Sequence, residues 1–177
     1  MAFSIAVLAV GHLIKIGGKK MKIIDMVGKL KTRPDKSYKK RKIEDVDQIV
    51  MHHSATKEGS PEAFANYHVG TLKWPGIGYH YVIDKKGNAY KCNPISNVSY
   101  HAAGANYNSI GICLVGNFDI ENPTDAQMKT AVELVKEIKQ NMRIKRVIGH
   151  REVKGTKKSC PGKNFDMNKF RERIGVN

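Results

Sequence analysis

The 177 residues (19.8 kDa) suffice for one domain with a sizeable core and are few for two. A hydrophobic content of 41% is ordinary for a water-facing fold, and no apolar run nears the roughly 18 residues of a membrane helix, so no stable membrane span is expected. Thirty-one basic against sixteen acidic side chains give a formal charge of +15, a field that draws polyanions of any kind and bears on encounter more than on fold.

Residues 1–14, M-A-F-S-I-A-V-L-A-V-G-H-L-I, are apolar but lack the preceding basic stretch of a secretory signal. An extra strand, a tail, or an upstream start with Met21 opening the domain are the plain readings, and export stays open. His12 is expected to have no catalytic part. Between Lys19 and Lys42 eleven Lys or Arg face only Asp25 and Asp35. This basic extension, which with the apolar start makes up residues 1–44, is expected to wrap the surface, with Ser37 to Lys42 exposed.

Residues 47–53 run apolar through Ile49, Val50 and Met51 into His52 and His53, which reads as a central strand. Ser60 and Pro61 start a helix as N-cap and first helical residue, and Gly70 is expected to stop it. Trp74, before Pro75, must be extended. G-Y-H-Y-V-I-D at 78–84 and A-Y-K-C-N at 89–93 predict two strands joined by a turn over residues 85–88. Ile110 to Val115 is a continuous apolar strand. Thr124 with Gln127 forms a capping box. Met128, Ala131, Val132, Val135, Ile138 and Met142 then make the buried stripe of a long helix, with Lys129, Glu133, Lys136, Glu137 and Lys139 facing water. Val147 and Ile148 open another strand, and Met167 to Ile174 is an amphipathic close. The order describes an α/β domain, a mixed sheet of about five to six strands flanked by helices.

The chemistry concentrates in V-I-G-H-R-E-V-K-G-T-K-K-S-C-P-G at 147–162. His150 ends a strand there, and Cys160 follows on a loop rich in Lys and Gly. Imidazole and thiolate together suit zinc. Two ligands are too few, and the best third is His52 or His53. Strand alternation sends those two to opposite faces, so one at most ligates, and spacing leaves the choice open. Tyr79 and His80 are expected on opposite faces by the same argument. Three ligands leave a position for water, the pattern of a catalytic site; Cys92 is the spare that a structural site would use. The odd number of cysteines, Cys92, Cys113 and Cys160, points to folding in a reducing compartment. Taken singly, each of these histidines and cysteines reads better as an ordinary core residue.

Several pieces in one order carry more weight than any alone. They are V-M-H-H-S-A-T at 50–56, W-P-G-I-G-Y-H-Y-V-I at 74–83, S-Y-H-A-A-G-A-N-Y-N-S-I-G-I-C-L-V-G at 99–116, T-D-A-Q-M, G-H-R-E at 149–152 and K-K-S-C-P-G. Together they resemble the zinc-dependent N-acetylmuramoyl-L-alanine amidases of type 2, which share their fold with peptidoglycan recognition proteins, and most closely the small phage endolysins. The resemblance covers roughly residues 45–174, and residues 45–177 are taken as the catalytic domain.

That resemblance implies Zn2+ held by His52, His150 and Cys160, with Tyr79 and Lys158 as catalytic groups. It implies His101 along the substrate groove with Asn106 near it; by their positions in the chain, Trp74 is read as lining that groove or the apolar surface beside it, and His68 as capping its helix or lining the groove. The implied reaction splits bacterial peptidoglycan between the lactyl group of N-acetylmuramic acid and L-alanine, by attack of a zinc-activated water. Zinc and the Lys158 ammonium stabilise the oxyanion, Tyr79 orients the water or helps move its proton, and Glu152 is structural. A monomer is expected, waiting in the host cytoplasm until lysis, its basic extension drawn to anionic wall polymer. The alternatives are a non-catalytic peptidoglycan-binding module of the same fold, marked in that family by loss of the cysteine, and a basic nucleic-acid binder. The basic segment lacks the interleaved aromatics of the latter, so no dedicated nucleic-acid partner is expected.

Overall fold

The structure, a computed structural model, describes residues 21–175; the apolar start, with His12, lies outside the described residues. Six strands form one mixed sheet: β1 (Ile23–Asp25), β2 (Gln48–His53), β3 (Tyr81–Ile83), β4 (Ala89–Lys91), β5 (Ser109–Leu114) and β6 (Arg146–Gly149), in the spatial order β1-β4-β3-β5-β2-β6. Only the β3–β4 hairpin is antiparallel; the other neighbours run parallel. Every residue of β2 and β5 is buried. Central parallel strands are covered on both faces, which is why these two read as near-continuous apolar runs.

The sheet alternation sorts the core into two sides. Ile49, Met51, Ile110, Ile112 and Leu114 pack with α2 (Asp125–Asn141) and α3 (Met167–Arg173). On the other side Val82 and Cys113 pack with Ala65 of α1 (Pro61–Gly70), and Val50 with Ala102 and Ala105. This second side is the one on which polar groups gather.

Local signals place the helices. The Ser60 hydroxyl accepts from Ala63 N with Pro61 in the first turn, and both halves of the Thr124–Gln127 capping box are formed. In the hairpin, Asp84 accepts from the amides of Lys86 and Asn88 at 2.9 Å each. Gly87 takes φ +82°, and a Cβ there would also meet Ala126 O at 2.8 Å, so the turn and the approach of α2 both need glycine.

Four expectations change. The basic extension is not simply a surface wrap, because residues 23–25 join the sheet as an edge strand beside β4. Arg41, expected exposed, is buried: its guanidinium donates to the carbonyls of Ile95, Asn106 and Tyr107 at 2.7–2.8 Å. Burial still lowers the guanidinium to about 10, and the three carbonyls offset part of that cost with charge-assisted hydrogen bonds. Glu137, expected on the wet face of α2, is also buried, and burial raises its carboxyl pKa. Met21 and Ile23 extend the core cluster that includes Ile138 and Tyr81, so the covered face of α2 is wider than its apolar stripe. Finally, the strand expected over 78–84 is a ladder only at Tyr81–Ile83, and alternation fails before it. Tyr79 leans toward His52 and His80 toward His101, both on the same side of the sheet.

Candidate metal centre and groove

β2 and β6 pair in parallel with Met51 opposite Gly149. Both chains therefore leave the sheet at one end, and His52 and His150 are the next residues after that shared rung. Ligand groups collecting beyond the carboxyl ends of parallel strands is the usual consequence of such pairing. Cys160 arrives from a loop that two anchors hold. Arg151 N donates to Cys160 O at 2.6 Å, and the Arg151 guanidinium reaches the carbonyls of Gly162 at 2.6 Å and Phe165 at 3.0 Å. Asp119 takes the Ser159 hydroxyl at 2.7 Å and Lys163 N at 2.9 Å. Neither Arg151 nor Asp119 is a ligand, yet together they aim the cysteine.

The ligand atoms of His52, His150 and Cys160 lie within 4.8 Å of one another, all on buried residues; among the described residues this is the one such cluster. His52 Nδ1 is 3.5 Å from Cys160 Sγ. A tetrahedron with metal–sulfur near 2.3 Å and metal–nitrogen near 2.0–2.1 Å has an edge of about 3.5 Å, so this pair already stands at the separation that zinc requires. His53 points to the opposite face, where its Nδ1 accepts from Phe118 N at 3.0 Å. Cys92 lies apart, in the cluster around Val82. Burial holds His150 down to about 4, with Lys158 adding to the effect, and pushes the Cys160 thiol up to about 11. Without a cation the three are thus all neutral, and a divalent ion would draw out the thiolate.

Around the cluster the groups fall into layers. Tyr79 is centred 5.5 Å from the His52 ring, and burial raises its phenol well above the ordinary value. Lys158 is exposed and borders the cluster from two sides, because His150, Lys157 and Lys158 line both a groove of about 550 Å³ and a second one of about 530 Å³. The first groove is walled by Trp74, Tyr100 and Asn106; the second reaches Cys160 and Asp119. Trp74 stacks between His68, at 4.8 Å, and Tyr100, at 5.6 Å. His68 stands behind Trp74 rather than in the groove lining, its Nδ1 accepting from Gly78 N at 3.0 Å. Glu152 is turned away: it accepts from Gly149 N at 2.6 Å and pairs with Arg171 at 3.1 Å. His101 borders the first groove, but its nitrogens face inward to His52 and Ser109. Arg41 and Asp119 shape this region from outside every quoted motif, whereas Ser109 and Gly111 sit within the piece at 99–116, where their role was not legible.

Two further imidazoles give the fold a pH dependence. Burial lowers His68 to about 4; burial, then the Arg41 charge, lowers His80 to about 3. His80 Nδ1 accepts from Gly111 N at 3.0 Å, and its Nε2 lies 3.1 Å from Asn97 O and 3.0 Å from the Arg41 guanidinium. Both rings are neutral in the native state and titrate near 6.5 once unfolded. As pH falls below 6.5 the unfolded chain binds more protons, so this stability is complete above that pH and is lost on the way down to the folded values. The melting temperature at pH 5 is expected on the order of 10 °C below that at pH 7.5. Equal melts by circular dichroism would contradict the neutral assignment.

A mixed sheet with a buried two-histidine, one-cysteine cluster at the ends of its parallel strands, a cluster that could hold a metal ion, defines a domain of amidase and peptidoglycan-recognition topology. The profile of the N-acetylmuramoyl-L-alanine amidase family (Amidase_2) matches residues 42–163, and the chain belongs to that family. It is 32% identical to the endolysin of Escherichia phage T7 over 142 residues, 73% of this chain and 88% of that one. It is 33% identical to peptidoglycan-recognition protein SC1a of Drosophila melanogaster over 124 residues, 64% of this chain, a match that spans 66% of the fly protein's length. Among solved structures, the N-acetylmuramoyl-L-alanine amidase LysC from Clostridium intestinale URNW superposes with a TM-score of 0.75 at 28% identity, covering 88% of this chain and 99% of that one. Among the described residues no helix is long and apolar enough to cross a membrane.

Proposed function

We propose that this protein is a zinc-dependent peptidoglycan amidase, an endolysin, that hydrolyses the amide joining the lactyl group of N-acetylmuramic acid to L-alanine. The observation that carries the reading is the His52, His150 and Cys160 cluster, in which His150 lines both groove lobes and Cys160 lines the second. A branched substrate fits that layout, with the glycan on one side of the reacting bond and the stem peptide on the other. Membership of the N-acetylmuramoyl-L-alanine amidase family supports that bond, and the endolysin relative supports the endolysin reading.

His52, His150 and Cys160 are the residues that would hold zinc. A zinc ion there supplies Lewis acidity and a lowered water pKa at neutral pH. Lys158, exposed on the rim shared by both lobes, offers a cation to the carbonyl oxygen as charge develops on it. Burial raises the Tyr79 phenol, which suits a group that orients the water by donating a hydrogen bond. Trp74 and Tyr100 give the first lobe an aromatic wall for the sugar or peptide, and Asn106 adds a polar group beside them. Residues 45–177 form the catalytic unit in this reading. The charge of +15 draws the enzyme to anionic wall polymer, and the unpaired cysteines suit a protein held in the host cytoplasm until lysis.

Digestion of purified peptidoglycan, with mass analysis of the products, tests the assignment. New L-alanine amines and free lactyl carboxylates are expected, and both should vanish with a chelator and return with zinc. Reducing sugar ends would refute the bond; tight binding to wall without any product would favour a recognition module.

A further inference from the structure

His101 is the histidine that touches a metal-cluster residue through its ring. Its Nδ1 lies 3.0 Å from His52 Nε2, the rings edge-on with centroids 5.1 Å apart. Its Nε2 lies 3.3 Å from Ser109 Oγ, and Ser109 Oγ donates to Ala105 O at 2.5 Å. The direction of this row follows from its last member. A carbonyl only accepts, so the Ser109 proton is committed to Ala105 and its oxygen is left to accept. His101 Nε2 therefore donates, and Nδ1 of a neutral ring then has only a lone pair. His52 Nε2 must carry the proton that lone pair receives. The His52 lone pair is thereby on Nδ1, the atom that faces Cys160 Sγ.

We propose that His101 and Ser109 are positioning residues that set the tautomer of His52, keeping its Nδ1 free for a metal ion; the proposal rests on the metal-centre reading above. β5 is shaped for this. Ser109 and Gly111 lie on one face of the strand, and a Cβ at Gly111 would fall 2.5 Å from His101 Cγ, so the ring lies flat against bare backbone. Asn106 closes the loop, its Oδ1 accepting from His101 N at 3.0 Å and Ala102 N at 2.7 Å. Both His101 nitrogens are spoken for, and neither is left to hydrogen-bond a substrate in the groove. A ligating imidazole commonly leans on a carboxylate, a backbone carbonyl or water. Here a second imidazole ending in a hydroxyl supplies the acceptor, without adding a negative charge beside the Cys160 thiolate.

Long-range proton–nitrogen NMR of the full-length, metal-free, 15N-labelled protein at pH 7.5 reads both tautomers. The expected result is Nε2–H on His52 and on His101; Nδ1–H on either ring reverses the row and overturns the proposal. Zinc affinity, measured by competition with a chromophoric chelator, is expected to fall about 10-fold in Ser109→Ala and in His101→Leu. His101→Gln, whose amide oxygen can accept from His52, should recover part of the loss. Wild-type zinc affinity in Ser109→Ala and His101→Leu would overturn the positioning role alone. A wild-type protein that takes up no zinc would instead sink the metal reading, and this proposal with it.

Discussion

Cys160→Ala is expected to lose bound zinc and wall hydrolysis together. Two buried imidazoles would remain, one held to about 4 and the other well below its ordinary value by burial, and two neutral ligands do not retain zinc against a chelator. The thiolate is also the one anionic ligand in the set. The loop itself should survive, because Arg151 grips it through main-chain carbonyls, including that of residue 160, and Asp119 through Ser159 and Lys163. Melting of the metal-free variant should therefore stay near that of metal-free wild type. Elemental analysis after dialysis gives the metal content; full occupancy in the variant would remove Cys160 from the ligand set.

Lys158→Ala is expected to do the opposite to the metal, leaving zinc in place while turnover falls by about 10²- to 10³-fold, the usual worth of one donor to a developing oxyanion. The side chain is exposed, so its loss carries little folding cost. An effect on the transition state lowers kcat with KM nearly constant, whereas loss of simple attraction to the wall raises KM alone. Measuring both on a soluble muropeptide separates the two, and unchanged kcat would take the lysine out of the chemistry.

Much of the fold was legible because its signals are local. The Ser60–Pro61 start, the Thr124–Gln127 box, the Gly87 turn and the all-apolar central strands each depend on neighbours a few residues away. The edge strand β1 was not legible. Three residues in a Lys-rich stretch show no period, and only the open side of β4 makes a strand of them. Buried Arg41 was hidden for the same reason, since its carbonyl partners lie more than fifty residues downstream. Opposite facing of Tyr79 and His80 failed because the period of two holds inside a ladder and these residues precede it.

The chain order by itself determined the α/β class, the helix caps, and that His150 and Cys160 would stand at a strand end and on a following loop. Spacing could not choose between His52 and His53, say which nitrogen of His52 is free, or show that His101 faces a ligand rather than the groove. Those are properties of contacts. Parallel pairing of β2 with β6 sets His52 beside His150, and β5 brings Ser109 and Gly111 under His101. The position of a proton on an imidazole is settled by whichever partners the other nitrogen meets, and those partners are assembled only when the sheet closes.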